Sequence, residues 1–111
     1  MAVTWIKQPH YNILTSGKRT FIRDDRFQAL DGGRTGDWAL QVKSVELGDG
    51  GTYECQISTG TGVISTYVNL SVMKPVATIN GSKDRHVDLG STITLQCTIT
   101  KIMLSTYSAL G

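Results

Sequence analysis

The sequence predicts an all-β chain, an antiparallel sandwich or barrel, on three observations. Short runs of alternating residues recur, glycine-rich turns separate them, and no stretch carries a helical period. Ala2 to Lys7 forms the first run, around Trp5, and Asn12 to Thr15 is short and apolar. Thr20 to Arg23 follows a Gly17-Lys18 turn, and Arg26 to Leu30 leads into Asp31-Gly32-Gly33. Trp38 to Val42 alternates cleanly, with Trp38, Leu40 and Val42 on one face expected to be core. After Gly48-Asp49-Gly50-Gly51, Thr52 to Thr59 alternates again. Gly60-Thr61-Gly62 reads as a hairpin tip before Val63 to Val72. Pro75 cannot donate to a sheet ladder and marks a boundary. Beyond it, Ala77 to Ile79 is a short candidate strand. Ser91 to Thr100 is a clear one, with Ile93, Leu95 and Cys97 on one face. Lys101 to Gly111 has no legible period and is left unassigned.

The 111 residues allow one ordinary domain, or one domain and part of another. A 40% hydrophobic and 18% charged composition is that of a globular chain. A formal charge of +2 without a basic cluster argues against nucleic acid as a partner. The longest apolar candidate, Val63 to Val72, is interrupted by Ser65, Thr66, Asn69 and Ser71, and no run approaches the ~18 residues of a membrane span. Met1 is followed at once by a strand-like segment rather than by a charged and then apolar leader.

Asp49, Gly51, Tyr53 and Cys55 stand as D-x-G-x-Y-x-C. A tyrosine two residues before a buried cysteine can return its hydroxyl to the backbone of the preceding corner, the tyrosine corner of immunoglobulin domains. Gly51 relieves the tight turn before the strand. Trp5 fits the tryptophan that packs against the inter-sheet cysteine. Arg26 resembles the arginine that pairs with the corner aspartate in variable-type domains, with Asp49 as its partner.

The ordered set Val3-Thr4-Trp5-Ile6-Lys7, Ile13-Leu14-Thr15, Asp25-Arg26-Phe27-Gln28-Ala29, Asp37-Trp38-Ala39-Leu40-Gln41-Val42-Lys43 and Tyr53-Glu54-Cys55-Gln56-Ile57-Ser58-Thr59 resembles the insect Dpr (defective proboscis extension response) family. These are neuronal cell-surface proteins with two immunoglobulin domains, and the likeness spans about residues 3 to 100. It implies contact recognition between neurons, adhesion and synaptic partner choice, through the outer face of one sheet. The implied partner is another immunoglobulin-superfamily ectodomain of the Dpr-interacting type, with homophilic binding left open. It also implies a glycoprotein of the neuronal plasma membrane, attached only through segments outside this chain.

Against that family, the chain reads as an immunoglobulin-like sandwich truncated at both ends. Residues 1–74 form a variable-type domain lacking strands A and B. Residues 75–111 form the start of a second domain, its strands A and B, with an unassigned tail. An immunoglobulin domain places its first cysteine on strand B, ahead of the tryptophan, and that position falls before Met1. Cys97 in Leu95-Gln96-Cys97 resembles the strand-B cysteine of the second domain. Cys55 and Cys97 are therefore expected to be unpaired halves of two disulfides, and the fold to be marginal in stability.

Alternation places the recognition surface. Trp5 and Cys55 point inward, so Thr4, Ile6, Glu54, Gln56 and Ser58 point outward. Val68 and Leu70 point inward, so Tyr67 and Asn69 point outward. The candidate partner-binding set is Ile6, Ile13 or Leu14 on the adjoining strand, Gln56, Ser58 and Tyr67. Apolar and aromatic side chains beside glutamine resemble a binding patch. Scattered surface hydrophobes are the plainer reading of each taken singly.

Enzyme chemistry finds little footing. His10 and His86 fall in the two different predicted domains, and no Cys/His cluster supplies the three or four ligands of a zinc site. Gly60-Thr61-Gly62 and Gly48-Asp49-Gly50 lack the rest of a phosphate-binding loop, and no nucleophile elbow is present. No cofactor or small-molecule substrate is implied. The rivals to Dpr-type recognition are an immunoglobulin adhesion protein of another family and a small β-sandwich enzyme. Two glycosylation sequons stand at Asn69-Leu70-Ser71 and Asn80-Gly81-Ser82, and the loop-like Asn80 is the better acceptor.

Overall fold

A computed structural model describes residues 3–31, 38–74, 85–98 and 102–107. Ten strands follow in order: β1 Val3–Lys7, β2 Asn12–Ser16, β3 Arg19–Thr20, β4 Phe27–Asp31, β5 Trp38–Val42, β6 Gly51–Thr59, β7 Gly62–Met73, β8 Arg85–Asp88, β9 Thr92–Cys97 and β10 Ile102–Tyr107. A short 3-10 turn, Leu47–Asp49, precedes β6. No helix among the described residues is long and apolar enough to cross a membrane.

The strands form two facing sheets. One has six strands in the order β3-β2-β1-β6-β7-β8, and the other has four in the order β10-β9-β5-β4. All pairings are antiparallel except β7 with β8. This is the immunoglobulin-like β-sandwich that the sequence predicts. The alternating inward residues build one core: Trp5, Leu14, Tyr53, Cys55 and Ile57 from the larger sheet meet Leu40, Val42, Ile93, Leu95 and Cys97 from the smaller. Leu40 and Val42 are fully buried, while Trp38 is half-buried against the cluster. Burying a Leu- or Ile-sized side chain stabilises by about 1.5–3 kcal/mol, so Ile93 and Leu95 alone make β9 a substantial part of the fold.

The expectation for the cysteines is corrected. Cys55 and Cys97 form a disulfide, with Cα atoms 6.3 Å apart, inside the range a bridge spans. The reason lies in strand order. The sequence-based reading assumes that a B strand precedes the tryptophan strand in the chain. Here β9 enters from the C-terminal side and pairs with β5, setting Cys97 opposite Trp38 and Leu95 opposite Leu40. The order β10-β9-β5-β4 reproduces the A-B-E-D sheet of an immunoglobulin domain, with β9 in the place of B and β10 in the place of A. Backbone bonds close the joint, from Val45 N to Ser91 O (2.9 Å) and from Gly90 N to Val45 O (2.8 Å).

The segment left unassigned from Lys101 contains β10, which pairs with β9 over six residues. Of the run Thr20 to Arg23 only Thr20 lies in a strand, the two-residue edge strand β3. The candidate strand Ala77 to Ile79, the Asp31-Gly32-Gly33 turn beyond Asp31, and the Asn80 sequon lie outside the described residues.

Candidate protein-recognition interface

The site is held in place by the corner ahead of β6. Gly51 has φ +141°, a conformation that favours glycine. The Tyr53 hydroxyl donates to the Asp49 carbonyl at 2.5 Å, which is the tyrosine corner. Arg26 grips Asp49 with two bonds, Nη1 to Oδ2 at 2.7 Å and Nη2 to Oδ1 at 3.0 Å. The same guanidinium reaches Asp24 at 2.8 Å and the carbonyl of Ser44 at 3.1 Å. A bidentate Arg–carboxylate pair is among the stronger polar contacts in a protein. Bonds to Asp49, then to Asp24, hold the Arg26 guanidinium protonated well above its ordinary range, against the effect of burial. Burial pushes the Tyr53 phenol up, and the nearby Asp49 carboxylate adds to it. These groups tie the β4 side of the sandwich to the start of β6. Arg26, Asp49 and Tyr53, three of the residues the sequence reading marks as structural, meet at this corner. Trp5 lies directly opposite Cys55 on the adjacent strand.

With β6 fixed, the outer face of the six-stranded sheet is set by register. One row across the strands reads Ile13, Ile6, Glu54, Tyr67; the next reads Ser16, Thr4, Gln56, Ser65. Tyr67 is 58% exposed, Ile13 43% and Val63 61%. Ser58 is exposed beside Val63, and Asn69 is exposed with its Oδ1 accepting from Thr52 at 2.6 Å. The structure thus brings Ile13, Gln56, Ser58 and Tyr67 onto one surface.

Two members of the candidate set do not reach it. Leu14 is 1% exposed and belongs to the core. Between Trp5 and Ile6 the register with β2 shifts, so one step on β1 faces two on β2. This bulge turns Leu14 inward and leaves Ile13 outward. Ile6 does face outward but is only 1% exposed. Tyr11, in the turn between β1 and β2, reaches toward the same face. The Tyr11 hydroxyl accepts from Gln56 Nε2 at 2.9 Å. Gln56 sits on β6, on the far side of β1, so the tyrosine lies across β1.

Tyr11 is a residue that the sequence reading missed. A turn residue has no periodicity, and its only signal is an aromatic in a short loop beside a candidate face. The chain holds it at φ +56°, a left-handed conformation that costs a bulky residue about 1–2 kcal/mol. Glu54 is the second omission. Alternation places it outward, yet it is 3% exposed. Its carboxylate accepts from Gln8 Nε2 at 2.7 Å and Gln56 Nε2 at 3.1 Å, and also from Ser65 and Tyr67. Burial alone would raise this carboxyl. The donors Gln56, Ser65, Gln8 and Tyr67 outweigh it, and the group ionises below its ordinary range. The face is therefore a half-dry aromatic and aliphatic patch around a buried carboxylate, suited to docking another protein surface.

Residues 1–73 match the immunoglobulin V-set domain family. The chain is 31% identical over 96 residues to human Protein sidekick-1, covering 86% of this chain and 4% of that protein's length. Among solved structures, the complex of Dpr11 IG1 bound to DIP-gamma contains a chain 40% identical to this one, with a TM-score of 0.59, covering 65% of this chain and 74% of that one. The ZIG-8–RIG-5 IG1–IG1 heterodimer contains one 30% identical, with a TM-score of 0.59, covering 66% of this chain and 62% of that one.

Proposed function

We propose that the protein recognises another immunoglobulin-superfamily ectodomain at the cell surface, on the premise that the chain belongs to the immunoglobulin V-set family. The observation that carries the proposal is the outer face of the six-stranded sheet, where Tyr11, Ile13, Val63 and Tyr67 stand exposed around Gln56 and Glu54. Buried aromatic anchors ringed by polar groups dominate binding energy in protein interfaces. The similar solved structures are themselves immunoglobulin domains bound to other immunoglobulin domains. That supports binding as the work of the fold rather than catalysis.

The finer reading rests on the resemblance to the Dpr family. In it, the protein is a neuronal glycoprotein of the plasma membrane that contributes to adhesion and synaptic partner choice by engaging a Dpr-interacting ectodomain. The division at Pro75 belongs to the same proposal: residues 1–74 are the variable-type domain and residues 75–111 open a second. In that case β9 and β10, from the second segment, occupy the B and A places of the first domain's sheet.

Surface plasmon resonance against a panel of immunoglobulin ectodomains, DIP-gamma among them, tests the proposal. A truncated hot-spot residue costs about 2 kcal/mol or more, so Tyr67→Ala and Ile13→Asp each weaken binding at least about tenfold. Gln41→Ala, on the outer face of the other sheet, leaves it unchanged. Loss of binding on Gln41→Ala with none on Tyr67→Ala assigns the wrong sheet. Absence of any binder in the panel removes the reading.

A further inference from the structure

Glu54 is the one ionised side chain among the described outward residues of β1, β2, β6 and β7. It sits in the middle of them, almost fully buried. Its four donors, Gln8, Gln56, Ser65 and Tyr67, are all neutral. No lysine, arginine or histidine among the described residues pairs with it. The donors satisfy its lone pairs and leave its full negative charge in place.

A buried charge without a counter-ion is costly unless hydrogen bonds replace its lost hydration, as the four donors do here. The arrangement here does two things that a neutral side chain would not. It fixes the amide of Gln56 and the hydroxyl of Tyr67, and through Gln56 it fixes Tyr11. It also puts a negative potential under an otherwise uncharged patch.

When a partner covers this patch, the water that screens Glu54 is expelled and the local dielectric falls. Facing an apolar surface, the carboxylate would then lose solvation with nothing in return. Facing a cation, the same desolvation strengthens the attraction. We infer that Glu54 selects a partner that sets a lysine or arginine against the Tyr11–Gln56–Tyr67 patch, and that it positions those three side chains to receive it. The inference rests on the recognition face proposed above.

Glu54→Gln keeps the size of the side chain and removes the charge. The test measures association rates of wild type, Glu54→Gln and Tyr67→Ala against the same panel, including the DIP-gamma ectodomain, at 50 and 500 mM NaCl as chosen conditions spanning roughly 14 to 4 Å of screening length. Wild-type association should fall several-fold with salt. Glu54→Gln should bind about tenfold more weakly, with an association rate nearly flat in salt, while remaining folded with a melting temperature lowered by the loss of the accepted bonds. If Tyr67→Ala loses binding but Glu54→Gln keeps both wild-type affinity and wild-type salt dependence, the face stands and this inference is overturned. If neither variant alters binding, the face itself is wrong. Should Glu54→Gln fail to fold, a salt-independent wild-type association rate overturns the inference on its own.

Discussion

Replacing both Cys55 and Cys97 by alanine removes the one covalent link between the two sheets among the described residues. The cysteines are 42 positions apart. Closing a loop of that size restricts the unfolded chain by an entropy worth about 4 kcal/mol at 25 °C. Both side chains are buried, at 0% and 2% exposure, so the small voids left by the sulfurs add to the loss. At ~2.1 cal/mol/K per residue, a chain of 111 residues unfolds with an entropy of about 0.23 kcal/mol/K. The expected drop in melting temperature is therefore roughly 17 °C. Calorimetry of wild type and Cys55→Ala/Cys97→Ala measures it, with a non-reducing peptide map of the wild type to locate the bridge. Free thiols in the oxidised wild type, or a shift under about 3 °C, would refute the reasoning. Either would mean that β9 does not fill the slot beside β5.

Two further expectations concern the corner. Arg26→Met leaves Asp49 buried without its counter-ion and should cost about 3 kcal/mol or more, read as an earlier denaturant midpoint with an unchanged slope. Tyr53→Phe leaves the Asp49 carbonyl unpaired and should cost about 1–2 kcal/mol. The Tyr53 phenol is raised in the fold, so its contribution is fully present below its unfolded value of about 10 and is lost as pH rises above it. Wild-type stability should decline on that alkaline side more steeply than that of Tyr53→Phe; equal slopes would contradict the assignment.

Much of this arrangement is legible in the sequence because it follows from period two. Trp38 to Val42 has the strand boundaries its alternation predicts. The Asp49–Tyr53–Cys55 spacing encodes the corner, because each residue's partner lies a few positions away or, for Arg26, at a recognisable strand start. Illegible features arise where alternation is broken or insufficient. The bulge at Leu14 inserts a residue, so direction past it cannot be counted from Trp5. Alternation tells which way Ile6 points and not how deeply it is buried, and Tyr11 is a turn residue with no period to read, held at a left-handed φ. In β10, the outward Met103 is apolar like the inward Ile102 and Leu104, which hides the period. Pairing of Cys97 with Cys55 depends on a strand order that chain sequence does not specify. Glu54 reads as an ordinary surface acid until its four donors are seen together.

The claim that binding uses the outer face of the six-stranded sheet is tested most directly by oxidative footprinting of the chain alone and in complex with an ectodomain from the panel. Tyr11 and Tyr67 are 52% and 58% exposed in the free chain, and Met103, on the other sheet, is 41% exposed. All three are therefore open to hydroxyl radicals before binding. The account predicts that labelling of Tyr11 and Tyr67 falls severalfold in the complex while Met103 is unchanged. Protection of Met103 with Tyr11 and Tyr67 still labelled at the free-chain rate would contradict it.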